Sequence, residues 1–284
     1  MPILAIVFLL VGAVLHTVWN LVLKQAKDKY AFTWWMLITG GVLALGLLFF
    51  TGLPPQKMWG YAFLSILTEA TYFIILSYAY HDNEFSLVYP VARGAAPAFL
   101  ALWSFLFLGE RVTGGGAIGL LMIIAGLMVI GLSALIQARV SYLHVKGIAV
   151  ALTIALLISI YTAIDGTAVK HGSAIPYVMT MFTLVPLPVT PFVLRQYGWP
   201  QLKEIWNAQA FLLALIGFLG VSAYLLAVAA YSIAPLSYSG AIREVSVVIG
   251  AFAGWRFLGE KMGGMRVVGA IIIFMGILII AIFG

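Results

Sequence analysis

Cysteine is absent from the 284 residues, and charged side chains make up only 8% of them. The first absence excludes disulfides, thiolate metal sites and thiol chemistry. The second excludes a water-soluble globular domain, which needs roughly 25% charged residues to cover its surface. Enzyme signatures are missing as well: there is no Gly-rich phosphate loop, no HExxH and no Gly-x-Ser-x-Gly elbow. The chain is therefore not read as an enzyme, and neither a cofactor nor a metal is expected. No basic run suited to a phosphate backbone occurs, so the net charge of +6 is assigned to helix ends and not to nucleic acid.

What remains is apolar: 64% of the chain. The apolar residues fall into ten runs, at 2–23, 31–50, 59–80, 86–108, 115–136, 147–168, 175–194, 209–231, 235–258 and 265–283. Each is close to the roughly 20 residues that cross a bilayer as a helix. Transmembrane strands would alternate over only about ten residues, so an all-α membrane protein of ten helices is predicted. The first run has no basic region before it and no small-residue cleavage site, and is read as a retained helix.

The sequence also repeats itself. Phe107-Leu108-Gly109-Glu110-Arg111 recurs 150 residues later as Phe257-Leu258-Gly259-Glu260-Lys261. At the same spacing Arg93 falls on Arg243, Gly114 on Gly264, Gly119 on Gly269, Gly126 on Gly276 and Ile130 on Ile280. The repeat divides the chain at 1–137 and 138–284, five runs to each half. Five is odd, so the second half enters the membrane inverted, an arrangement common in alternating-access transporters.

Two five-helix halves, each closing with a Phe-Leu-Gly-Glu-basic turn and a glycine-spaced last helix, resemble the EamA domain pair of the drug/metabolite transporter superfamily. The resemblance covers essentially the whole chain. It implies a carrier whose central cavity is lined by the first, third, fourth, sixth, eighth and ninth helices. It fixes no single substrate, since such carriers move amino acids, sugars, organic phosphates and cations. In the organic-phosphate branch, basic residues on the matching helices hold the phosphate. This chain is similar in placing Arg93 and Arg243 there, but has no second basic residue at position 244.

Ionisable residues within the runs are the functional candidates, because each costs a few kcal/mol in the bilayer unless paired or hydrated. Five are clear: Glu69, Arg93, Asp165, Arg243 and Glu244. The arginines occupy equivalent positions in the two halves, where two guanidinium forks could clamp one anionic group. The alternative is purely structural ion pairing of the arginines with Glu69 and Glu244, for instance as Arg93–Glu69. Glu244 is adjacent to Arg243, about 100° away around a helix, and is expected to meet something else. Glu69, Glu244 and Asp165 are candidates for a coupling proton, and Glu69 also for receiving a substrate ammonium. His16, Trp19 and Asn20 form a polar stripe on the first helix, and Tyr161 and Asp165 a matching one on the sixth. The cavity reading places Trp19 and Tyr161 against the substrate; the alternative makes His16 and Asn20 interhelical glue. Lys24 and Lys170, ending the two stripes, are read as snorkelling to the interface. Tyr89 and Tyr238, near the arginines in sequence, complete the substrate set. The glycines at 119, 126, 269 and 276 are assigned to close packing of the last helices of each half, or to a homodimer surface.

The expected function is secondary transport of a small anionic or zwitterionic metabolite (an amino acid, carboxylate or phospho-compound), coupled to protons or to exchange. The expected location is a prokaryotic inner membrane, with lipid and the small solute as partners. Rival readings are an exporter of organic cations on the same fold, a channel, or a non-transporting membrane subunit. Orientation divides two arguments. Lys24, Lys27, Lys29, Arg139, Lys146, Arg195, Lys203, Arg256, Lys261 and Arg266 belong to odd-numbered connections, against Lys57, Arg111 and Lys170 in even ones. The positive-inside rule puts the odd connections in the cytoplasm, whereas the family resemblance implies cytoplasmic termini.

Overall fold

The computed structural model describes residues 1–81, 85–137, 144–258 and 263–284, and the side chains of all of these except 77–81, 85–91, 133–135, 137, 144–146, 254 and 257–258. Among the described residues the chain is helical throughout, in the order α1 (Ile3–Gln25), α2 (Lys29–Thr51), a single 3-10 turn at Gln56–Met58, α3 (Trp59–His81), α4 (Phe85–Leu106), α5 (Gly114–Gln137), α6 (His144–Ala168), α7 (Ala174–Leu184), α8 (Pro186–Ile233), α9 (Leu236–Arg243), α10 (Val245–Leu258) and α11 (Gly264–Phe283). Seven segments among them are long and apolar enough to cross a membrane.

Polarity is distributed as lipid requires. Phe49, Phe50 and Phe211 are 84%, 88% and 82% exposed, while Arg93, Asp165 and Glu244 are buried. That is the reverse of a soluble protein, whose surface is charged, and it marks an integral membrane protein. Many threonine hydroxyls are satisfied within their own helices: Thr17, Thr33, Thr68, Thr71, Thr180 and Thr190 each donate to the carbonyl four residues earlier.

Several apolar runs are broken at positions that their hydropathy does not mark. Pro186 cannot donate its amide, and the seventh run divides there into α7 and the start of α8. A straight helix as long as α8 would reach about 70 Å. Instead it turns at Gly198 (φ 71°) and Gln209 (φ −144°). The stretch between is pinned to α2, with Trp35 Nε1 donating to the Leu202 carbonyl at 3.0 Å and the Trp35 and Trp206 rings 4.7 Å apart. The ninth run breaks at Glu244 (φ −72°, ψ −3°), between α9 and α10.

α5 and α11 meet along their glycines. A Cβ on Gly119 would lie 2.7 Å from the Gly276 carbonyl, and one on Gly126 2.7 Å from the Gly269 carbonyl. Rising numbers in α5 pair with falling numbers in α11, so the two helices run antiparallel. The close-packing expectation for these glycines holds within the chain. Each of the four glycines faces the other helix within the chain.

Candidate functional site

The cavity lies where α1, α3, α4, α6, α8 and α9 converge, with α2 and α7 also contributing to its wall, and has a volume of about 130 Å³. His16, Trp19 and Asn20 reach it from α1, Glu69 and Tyr72 from α3, Arg93 from α4, Tyr161 from α6, Tyr224 from α8 and Arg243 from α9. α1 and α8 approach closely enough to shape it because Gly12 carries no side chain: a Cβ there would sit 3.1 Å from the Ala223 carbonyl.

The two arginines meet on one carboxylate. Arg93 Nε lies 2.9 Å from Glu244 Oε2, and Arg243 Nε lies 3.7 Å from Glu244 Oε1. Arg93 Nη2 also donates to Ser246 Oγ at 3.0 Å and lies 3.2 Å from His16 Nε2. Arg243 Nη1 donates to the Tyr231 hydroxyl at 2.8 Å. Two expectations are corrected here. The carboxylate paired with Arg93 in this ion pair is Glu244, not Glu69. Glu244 itself meets both arginines, where the 100° argument turned it away from them. That argument assumed a continuous helix, whereas α9 ends at Arg243 and Glu244 occupies the break. The cluster sets two guanidinium groups, both lining the cavity, around one carboxylate.

A second, acidic cluster lies within electrostatic reach of Arg243. Asp165 is fully buried; it accepts from the Tyr177 hydroxyl at 2.7 Å and from the Tyr224 hydroxyl. Glu69 faces both Asp165 and Tyr224. Rings join the two ends: Tyr161 lies 6.1 Å from Tyr72 and 6.4 Å from Tyr224, and Phe182 lies 5.8 Å from Tyr224. The arrangement is a polarised pocket, positive at the junction of α4 and α9, acidic between α3 and α6, with aromatic walls. A small solute carrying an anionic group, with or without an ammonium, matches that polarity.

Among the sequence candidates, Arg93, Arg243, Glu69, Trp19, His16, Asn20 and Tyr161 come together around this cavity. Trp19 stands edge-on to His16, 5.0 Å between centroids. Asn20 Nδ2 donates to the His16 carbonyl at 2.7 Å, a bond inside α1 and not between helices. Asp165 lies behind the lining. Tyr238 is not in the lining either: it is buried, and its hydroxyl accepts from the Thr113 amide at 3.1 Å. Lys170, read as snorkelling, donates to the Tyr231 carbonyl at 2.9 Å. The Tyr89 side chain lies outside what the structure describes, as do residues 259–261 of the second turn motif and the side chains of its residues 257 and 258. Sequence reasoning passed over Tyr224, Tyr231, Tyr177 and Ser246. Tyr224 has Ile74 at its repeat position, so the duplication gave no signal for it, and Tyr177 was indistinguishable from an interfacial tyrosine.

Compared with known proteins, the sequence matches the model of a family described as EamA-like transporter family, over residues 3–132 and 145–282. No curated protein matches it significantly. A solved structure described only as the crystal structure of a protein superposes with a TM-score of 0.77 at 16% identity, covering 98% of this chain and 97% of that one. That likeness is one of fold.

Proposed function

The chain belongs to the EamA-like transporter family, and on that premise we propose that it is a secondary transporter of a small anionic or zwitterionic metabolite. In this reading ten crossings form two inverted five-helix units, 1–137 and 138–284, which rock about the central pocket to give alternating access. The antiparallel packing of α5 on α11, helices at equivalent places in the 150-residue repeat, supports the inversion. A prokaryotic inner membrane is the proposed location.

One observation carries the substrate class: two guanidinium groups, Arg93 and Arg243, reach the cavity beside the one carboxylate they share, Glu244. Arg243, whose guanidinium Nε lies 3.7 Å from the carboxylate, is the group that turns to an incoming anion. Trp19 and Tyr161 provide the walls, and His16 and Asn20 the polar contacts beside Arg93. Glu69, with Asp165 and Tyr224 behind it, receives either a substrate ammonium or the coupling proton. The acidic cluster also favours a second reading, export of an organic cation held by Glu69 among Tyr72, Tyr161 and Tyr224.

Reconstituted protein separates the two. Counterflow of amino acids, carboxylates and phosphonates that saturates in the native chain and fails in Arg243→Gln supports the proposal. Counterflow confined to quaternary or aromatic amines, undiminished in Arg243→Gln, establishes the cation reading instead.

A further inference from the structure

The repeated turn motif has a role outside the cavity. Gly109, with φ 64°, lies in the turn that follows α4. The next residue, Glu110, turns its carboxylate onto the start of α9: Oε1 accepts from the Leu236 amide, and Oε2 from the Ser237 amide at 3.0 Å. Pro235 precedes α9 and offers no side-chain cap, so Glu110 supplies from the other half of the chain what the local sequence lacks. Beside it Lys170 holds the Tyr231 carbonyl near the end of α8. Leu236 fits against Gly166, where any Cβ would collide with it.

These contacts seal one face of the protein. Leu23 and Thr33, beside the α1–α2 turn, line the cavity. Toward the opposite face its lining goes no further along α1 than Gly12 and along α8 than Ala227, and beyond them Tyr231 and Leu236 are buried. α9 spans the distance from the Glu110 contact to Arg243, about 12 Å at 1.5 Å per residue. Tyr231 touches both ends of this path, with its carbonyl on Lys170 and its hydroxyl on Arg243.

We propose that Glu110 is a gate latch: its carboxylate, by capping α9, holds closed the face opposite the α1–α2 turn, and substrate at Arg243 releases it by moving α9. This rests on the alternating-access reading and adds a positioning residue to it. Glu110 does not touch the substrate.

The lack of native cysteine allows a direct test. Ala223, 6% exposed, lines the cavity. Ala223→Cys is labelled with a membrane-impermeant maleimide from each face in vesicles of known orientation. In the otherwise native chain, labelling from the α1–α2 face is expected to dominate. Glu110→Ala should raise labelling from the opposite face about tenfold, the scale of losing a charged helix cap. Glu110→Gln, which keeps one acceptor oxygen and the side-chain shape, should give a smaller rise. Arg111→Gln, in the same turn but not bonded to α9, should leave the ratio as it was. A labelling ratio unchanged in Glu110→Ala overturns the latch. Should that variant fail to fold, an unchanged ratio in Glu110→Gln does so. Labelling needs no substrate: a solute that is transported while labelling stays unchanged sinks the latch alone, and absence of any transported solute sinks the transporter reading alone.

Discussion

The seam between α5 and α11 and the arginine cluster are both built from residues related by the 150-residue repeat, but only the seam obeys it. There, Gly119 sits under Ile280 and its counterpart Gly269 under Ile130; Gly126 sits under Ile273 and Gly276 under Ile123. Each of these four contacts has its mirror. In the cluster, Arg93 has Glu244, His16 and Ser246, whereas Arg243 has Tyr231 and the longer contact to Glu244. Equivalent sequence positions therefore hold unequal partners. The mirrored contacts fit an axis that keeps its packing, and the unmirrored ones fit one of two exchangeable states. Glu244 makes the asymmetry possible, because its counterpart is Gly94, which carries no charge.

If the asymmetry centres on Glu244, its removal is the largest perturbation. Glu244→Ala leaves two buried guanidinium groups without their shared carboxylate and should cost about 3–5 kcal/mol, read as a collapse of the unfolding temperature in detergent. Glu244→Gln should fall well short of that. Equal melting of Glu244→Ala and the native chain would break the comparison outright.

The two arginines should then separate. Arg93→Gln loses the shorter ion pair and a bond to Ser246, and should destabilise by about 1.5–3 kcal/mol while reducing transport. Arg243→Gln should melt close to the native chain but lose at least about tenfold in apparent affinity, the equivalent of one charged hydrogen bond. Identical profiles for the two variants would mean that the cavity is as symmetric as the seam.

The seam offers a smaller effect with a built-in control. Gly119→Ala and its counterpart Gly269→Ala push a methyl against a carbonyl at 2.7 and 2.8 Å and should cost about 1–3 kcal/mol apiece. Gly46→Ala, with nothing within 4 Å, should be neutral or slightly stabilising. The mirrored positions should match each other, and a marked difference between them would blur the distinction. Smallest is Tyr224→Phe, which removes one hydroxyl from Asp165 and should cost about 1 kcal/mol, with a larger proportional loss of transport if Glu69 carries the proton.

The sequence made much of this visible. The apolar runs mark helices, and the repeat drew attention to Arg93, Arg243 and the glycines because duplicated positions stand out in an otherwise interchangeable apolar background. The breaks at Pro186 and Glu244 were less legible, since proline and glutamate are tolerated in membrane helices when neighbours satisfy the freed groups. Pairings were hidden altogether. Arg93 and Glu244 are 151 positions apart, and Glu110 and Leu236 are 126 apart; nothing local in either segment specifies its partner. The 100° rule misdirected Glu244 because it presumed a helix that the chain does not continue. Tyr224 and Tyr177 were missed because a tyrosine at a helix end and one serving a buried carboxylate look alike in one dimension.

Everything functional here turns on whether Arg243 takes an anion from the cavity. The direct test is ligand-induced thermal stabilisation of purified native chain and Arg243→Gln against one panel of amino acids, carboxylates, phosphonates, sugars and quaternary amines. At least one anionic or zwitterionic compound should stabilise the native chain and lose most of that effect in the variant. Equal stabilisation of both proteins by the anions, or stabilisation by cations alone, would contradict the account.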